Sequence, residues 1–182
     1  MSKKRNNNLT QLAVCAMLIA LATVLGMIKL FNLPAGGSIT LFSMLAATLC
    51  GYYFGVAKGL LACVALGLVN FILEPVMVHP AQVFLDYILA FGLMGLSGLT
   101  SNKKNGLTTG YIIGICGRFL GSFLSGFIFF GSYAPEGMNP VLYSFLYQLS
   151  YIGVEGIITI AVINVPVVKN ALTHLKSQLS QN

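Results

Sequence analysis

TQLAVCAMLIALATVLGMIKLF, running from Thr10 to Phe31, decides what kind of protein this is. It holds a single charged residue, Lys29, close to its end. A helix crossing the hydrocarbon core of a bilayer needs about 20 such residues in a row. Five further apolar runs follow at roughly Ile39–Phe54, Ala57–Leu73, Ala81–Leu99, Leu107–Phe130 and Val141–Val168. The composition agrees, with 57% hydrophobic and 8% charged residues in 182 and a mean hydropathy of +0.85. Soluble domains carry about a quarter charged residues. The expectation is an all-α integral membrane protein, a bundle of six transmembrane helices. It forms a single membrane domain over 1–182, with an N-terminus at 1–9, the bundle at 10–168 and a tail at 169–182. Lys3, Lys4 and Arg5 resemble the start of a signal peptide. The apolar run behind them is too long for one and more spans follow, which reads as a retained first helix.

A formal charge of +6 raises the question of nucleic acid. The cations argue against it, because they form neither a basic helix face nor a cluster interleaved with aromatics. They sit at the ends of apolar runs. Lys3, Lys4, Arg5, Lys58, Lys103, Lys104, Lys169 and Lys176 all fall on one side, eight of the ten basic residues. Glu74, His79 and Glu136 fall on the other, with Lys29 at its margin. By the positive-inside rule both termini are cytoplasmic and the chain is a multi-pass protein of the cell membrane, with lipid as its constant neighbour.

Chemistry-bearing motifs are sparse. Cys15, Cys50, Cys63 and Cys116 lie within apolar runs without metal-ligand spacing, and read as buried, unpaired thiols. No metal site, cofactor or catalytic residue is expected: the chain has no HExxH, no nucleophile elbow and no usefully spaced acid pair. It also lacks GxxxxGK[ST], so it has no phosphate loop with which to hold ATP.

Ionisable groups inside a membrane are costly and call for a reason. Three qualify: Asp86, Arg118 and Glu155. Entering from outside, the fourth span brings Asp86 about 9 Å down, with Tyr87 beside it. Ser122 and Phe130 lie in the outer half of the fifth span. In the sixth, Tyr143, Tyr147 and Tyr151 recur every four residues, with Gln148 next to the stripe. Three spans thus bring polar or aromatic groups to one depth, as membrane proteins do where they line a cavity. Ligand contact is favoured over a capping role for Asp86. The tyrosines read equally well as packing or interface belt. Glu155 lies roughly 22 Å down on the same count. It and Arg118 read as structural, their depths differing too much to insist on a pair. The turn-rich outer segments at 32–38 and 132–140 are either lids over a site or plain connectors. Ala13, Ala16 and Ala20 give the first span small residues at close spacing, suited to helix contact within the chain or with a partner.

Four stretches carry a more specific likeness. They are Leu33-Pro34-Ala35-Gly36-Gly37-Ser38-Ile39-Thr40-Leu41; His79-Pro80-Ala81-Gln82-Val83-Phe84-Leu85-Asp86-Tyr87; Ser125-Gly126-Phe127-Ile128-Phe129-Phe130 on to Tyr133-Ala134-Pro135-Glu136-Gly137-Met138; and Tyr143-Ser144 through Ser150-Tyr151 to Glu155. With them the chain resembles, along nearly its whole length, the thiamine-specific S-components of energy-coupling factor (ECF) transporters, the ThiT/YuaJ-like family. The resemblance implies a six-helix binding subunit without its own ATPase. Its partners are a transmembrane scaffold subunit and two cytoplasmic ATPases, docked through alanines that match Ala16 and Ala20. It implies ligand contacts at Asp86, Tyr87, Ser122, Phe130, Tyr143, Tyr147, Gln148 and Tyr151, under a lid at Pro34, Gly36, Gly37 and Ser38. Several of these depart from the family pattern. Asp86 replaces Glu, Ser122 replaces His, Gln148 replaces Asn, Phe130 stands where Trp is found, and the acid after the first loop is replaced around Ser43. Altered contacts lining one pocket point toward an altered ligand, since a hydrogen-bonding site rejects mismatched rings. A vitamin B6 form or hydroxymethylpyrimidine therefore stands beside thiamine. A stand-alone secondary transporter ranks behind, since no internal repeat is found, and an intramembrane enzyme behind that.

Overall fold

In a computed structural model the described residues are 2–181, with side chains at 8–34 and 36–179. The basic cluster Lys3, Lys4 and Arg5 therefore lies outside the described side chains. The order is α1 (Ser2–Met27), strands β1 (Lys29–Asn32) and β2 (Ser38–Thr40), α2 (Ser43–Phe54), α3 (Val56–Leu73), α4 (Pro80–Thr100), α5 (Gly106–Phe129), α6 (Pro140–Ile163) and α7 (Pro166–Gln181). α1 from Asn8, α3, α4, α5 and α6 are each long and apolar enough to cross a membrane. The chain is a multi-pass membrane protein.

Three expectations about the elements need correction. The first run does not stay helical to Phe31. Its last residues pair instead as a β-hairpin with Ser38–Thr40, in the register Lys29↔Thr40, Phe31↔Ile39 and Asn32↔Ser38. The intervening Pro34-Ala35-Gly36-Gly37 reverses the chain, with Gly36 at φ +93° and the Leu33 amide bonded to the Gly37 carbonyl. Turn chemistry has overridden a continuous apolar run, so the fold is not purely α. The second span begins at Ser43, not Ile39. It is 12 residues long, about 18 Å at 1.5 Å per residue, well short of a crossing. The sixth span stops at Ile163, before Val168. Pro166 cannot extend a helix that needs its N–H, but suits the first turn of a new one. The tail accordingly folds as α7, held by the Tyr53 hydroxyl to the Leu172 carbonyl at 3.3 Å and by Lys176 over the Tyr52 ring at 4.2 Å.

Glycine brings the centre of the bundle together. A β-carbon on Gly59 of α3 would lie 2.8 Å from the Gly95 carbonyl oxygen of α4. Such backbone contact is how helices associate in lipid, where burial of apolar surface drives nothing. Around it lies the core, including Met44, Leu49, Leu66, Met94 and Tyr111. Cys15, Cys50 and Cys63 are buried there, while Cys116, expected to be buried, is exposed on α5.

Candidate functional site

α4 starts at Pro80, capped by His79, whose Nδ1 accepts the Ala81 N–H at 3.1 Å. Over Phe84–Leu89 the helix widens into a π-turn, a distortion frequent at functional sites. Asp86 lies within it. Its Oδ2 accepts from Gln82 Nε2 at 2.6 Å and from Ser125 Oγ on α5 at 2.8 Å. Both donors are neutral, and no described residue forms an ion pair with this carboxylate. Gln82 stands one turn before Asp86, a spacing that places the two side by side. α6 repeats the device. Asn139 Oδ1 caps it at the Val141 N–H, 2.8 Å away, and a second π-turn runs over Leu149–Gly153, carrying Tyr151.

Between these elements, β1–β2 and α5 lies a cavity of about 400 Å³, within the range of small-molecule sites. Its wall includes Asp86, Tyr87, Ser122, Phe130, Tyr143, Tyr147, Gln148 and Tyr151, together with Gly36, Gly37 and Ser38 of the hairpin turn. The structure thus gathers at one place every residue singled out as ligand-facing. Pro34 is not on the wall but is tied to it through Tyr147. The tyrosine stripe persists through the π-turn, with ring centroids 5.9 Å apart for Tyr143–Tyr147 and 5.7 Å for Tyr147–Tyr151.

Several of these groups are already occupied by the protein. The Tyr147 hydroxyl accepts the Gly37 N–H at 2.8 Å and donates to the Pro34 carbonyl. It fastens the hairpin turn across the cavity. The Tyr87 hydroxyl donates to the Glu74 carbonyl at 2.9 Å and accepts the Val76 N–H at 3.0 Å, leaving its ring on the wall. Gln148 donates to the Ser122 carbonyl at 3.1 Å and accepts from the Tyr151 hydroxyl at 2.5 Å. Ala16 and Ala20 are exposed on α1, away from the cavity.

Charges missed as site residues also reach the wall. Lys29 and Glu74 pair at 2.5 Å. Arg118 does not pair with Glu155; Lys29–Glu74 is the one ion pair among the described residues. The Arg118 guanidinium lies 4.1 Å from the Phe91 ring centroid, and its Nε has no hydrogen-bond partner. Glu155 is buried and accepts from Thr40 and from the start of α2. Counted along a straight helix it lies roughly 22 Å down. Because α2 starts part-way down the bundle, its first turn meets Glu155 there. A carboxylate does stand beside Ser43, then, but it arrives from α6. Lys29, Arg118, Glu74, Asp86 and Glu155 all line the cavity, two cations and three carboxylates, a formal excess of one negative charge.

The family described as thiamine transporter protein (Thia_YuaJ) matches residues 12–175. The thiamine transporter ThiT of Bacillus subtilis (strain 168) is 31% identical over 163 residues, spanning 81% of this chain and 84% of the relative. That of Lacticaseibacillus paracasei is 33% identical over 100 residues, 48% of this chain and 50% of the relative. A solved structure of ThiT from Listeria monocytogenes superposes with a TM-score of 0.72 at 26% identity, covering 87% of this chain and 96% of that one.

Proposed function

The chain belongs to the thiamine transporter protein family, and from that premise we propose that it captures thiamine at the outer membrane face, as the substrate-binding S-component of an ECF-type, ATP-driven importer. The observation carrying the reading is the charge of the cavity beside its aromatic lining. One negative charge in excess asks for a ligand with one positive charge. The thiazolium of thiamine is a permanent monocation. Asp86, whose protein partners are both neutral, is its electrostatic counterpart, and the Tyr143–Tyr147–Tyr151 stripe offers ring faces. Such faces attract a desolvated cation by about 2 kcal/mol. Neutral pyridoxine or hydroxymethylpyrimidine would leave the excess charge unmatched, which ranks them second despite Ser122 and Gln148.

In this reading the β1–β2 hairpin is the lid and Tyr147 its latch. The subunit hydrolyses no ATP; a scaffold subunit and two ATPases supply the energy, and α1 docks on the scaffold through Ala16 and Ala20. The test is calorimetry of the purified chain in detergent against thiamine, pyridoxine and hydroxymethylpyrimidine. Thiamine should bind tightest by at least about ten-fold, matching 1.4 kcal/mol or more of charge-dependent interaction. A neutral ring binding as tightly as thiamine overturns the assignment.

A further inference from the structure

Both ends of the hairpin are held by α6, at positions eight residues apart. At the tip, Tyr147 takes the Gly37 N–H and the Pro34 carbonyl. At the root, Glu155 Oε2 accepts the Thr40 N–H at 2.9 Å and the Thr40 hydroxyl at 2.7 Å, and Oε1 accepts the Met44 N–H at 3.3 Å. The Ser43 hydroxyl completes the cluster, 2.6 Å from Thr40 Oγ1 and 3.5 Å from Oε1. Thr40 is the last residue of the hairpin, while Ser43 and Met44 are the first of α2. The corner between them turns at Phe42, φ +60°, the one described non-glycine residue in the left-handed region. Such a backbone persists only where its surroundings hold it, and charge-assisted bonds to a buried carboxylate are strong enough to do so.

We infer that Glu155 is a positioning residue of the lid: it pins the root of the hairpin to α6 and fixes the axis about which the tip opens when Tyr147 lets go. This rests on the capture reading above and adds a residue to it. The tip carries only bonds to a neutral hydroxyl and the root carries bonds to a carboxylate, so the tip is the end that releases. The residues between the two anchors, Gln148 and Tyr151, line the cavity. A ligand touching them sits between latch and hinge.

The chain contains no Trp. Phe31→Trp, at an exposed position on β1, gives a single indole that reports the lid with no ligand present. In that background Glu155→Gln should shift the emission of the ligand-free protein and speed thiamine release by about ten-fold, as expected for loss of a bond to a charged group. Thr40→Val, which keeps the carboxylate and the fold, should speed release by a smaller factor in the same direction. The double variant should be no faster than Glu155→Gln alone. Tyr147→Phe should also change lid emission, but its effect on release should add to that of Thr40→Val. The inference is overturned by unchanged lid emission in Glu155→Gln, or by effects of Glu155→Gln and Thr40→Val that multiply, since a direct ligand contact would give both. The emission of the ligand-free protein stands even if thiamine does not bind, so failure of the vitamin assignment and failure of the hinge are distinguishable.

Discussion

Asp86 shows how far one residue carries the argument. A carboxylate in a membrane span is expensive enough to demand a partner, and its two hydrogen-bond donors, Gln82 and Ser125, are neutral. Asp86→Asn keeps the shape and removes the charge. It should weaken thiamine binding by about ten- to a hundred-fold, from the 1.5–3 kcal/mol of a bond to an ionised group, and weaken a neutral ring far less; calorimetry on the folded variant checks both. Gly37 makes a second case. A β-carbon there would lie 2.6 Å from the Tyr147 hydroxyl. Gly37→Ala should force the latch apart and raise the dissociation constant by about ten-fold, the equivalent of one lost hydrogen bond, with the thermal midpoint in detergent nearly unmoved. Asp86 and the tyrosines were legible from depth and four-residue spacing. The use of the Tyr147, Tyr87 and Gln148 polar groups by the protein was not. A side chain's partners lie on other helices, and helical spacing reports only its own.

At the scale of elements, apolar runs of full length announced α1, α3, α4, α5 and α6. What failed was the end of the first run, the start of the second and the end of the sixth. Lys29–Asn32 reads as more helix until the turn beyond it is given weight, and α2 reads as a span because Ile39 and Leu41 are apolar. The shortness of α2 has a consequence for the site: it leaves space above the first turn of α2 for the hairpin, and it lowers that turn to the level of Glu155. The two π-turns had no signal in the sequence, since no residue type demands one. The glycine seam was not legible in the sequence, because which glycines meet depends on how the helices pack. It predicts that Gly59→Val destabilises the bundle, because the β-carbon meets backbone at 2.5 Å from Gly51 Cα and at 2.8 Å from the Gly95 oxygen, neither of which can swing aside. Overpacking of this kind costs about 1–3 kcal/mol. Thermal unfolding in detergent should register it, and a midpoint equal to that of the parent would contradict the seam.

Over the whole molecule, the cavity and the exposed face of α1 are separate. Asp86 and Tyr147 line the one; Ala16 and Ala20 lie on the other, among the exposed Leu12, Met17, Leu21 and Val24. Such a face suits either lipid or a partner helix, and small residues suit the helix, because they let two backbones approach closely. If α1 docks on a scaffold subunit, capture and transport are separable by mutation. Ala20→Trp adds bulk to this face at a residue outside the cavity wall. It should leave thiamine affinity in detergent within about two-fold of the parent, a change below 0.5 kcal/mol. In cells carrying the scaffold and ATPase subunits, the same variant should lose most of its thiamine uptake and co-purify poorly with them. Lipid-facing alanines would tolerate the indole, so full uptake by Ala20→Trp, together with intact binding, would remove α1 as the docking face. Uptake into liposomes by this chain alone, driven by an ion gradient, would go further and replace the importer with a secondary transporter.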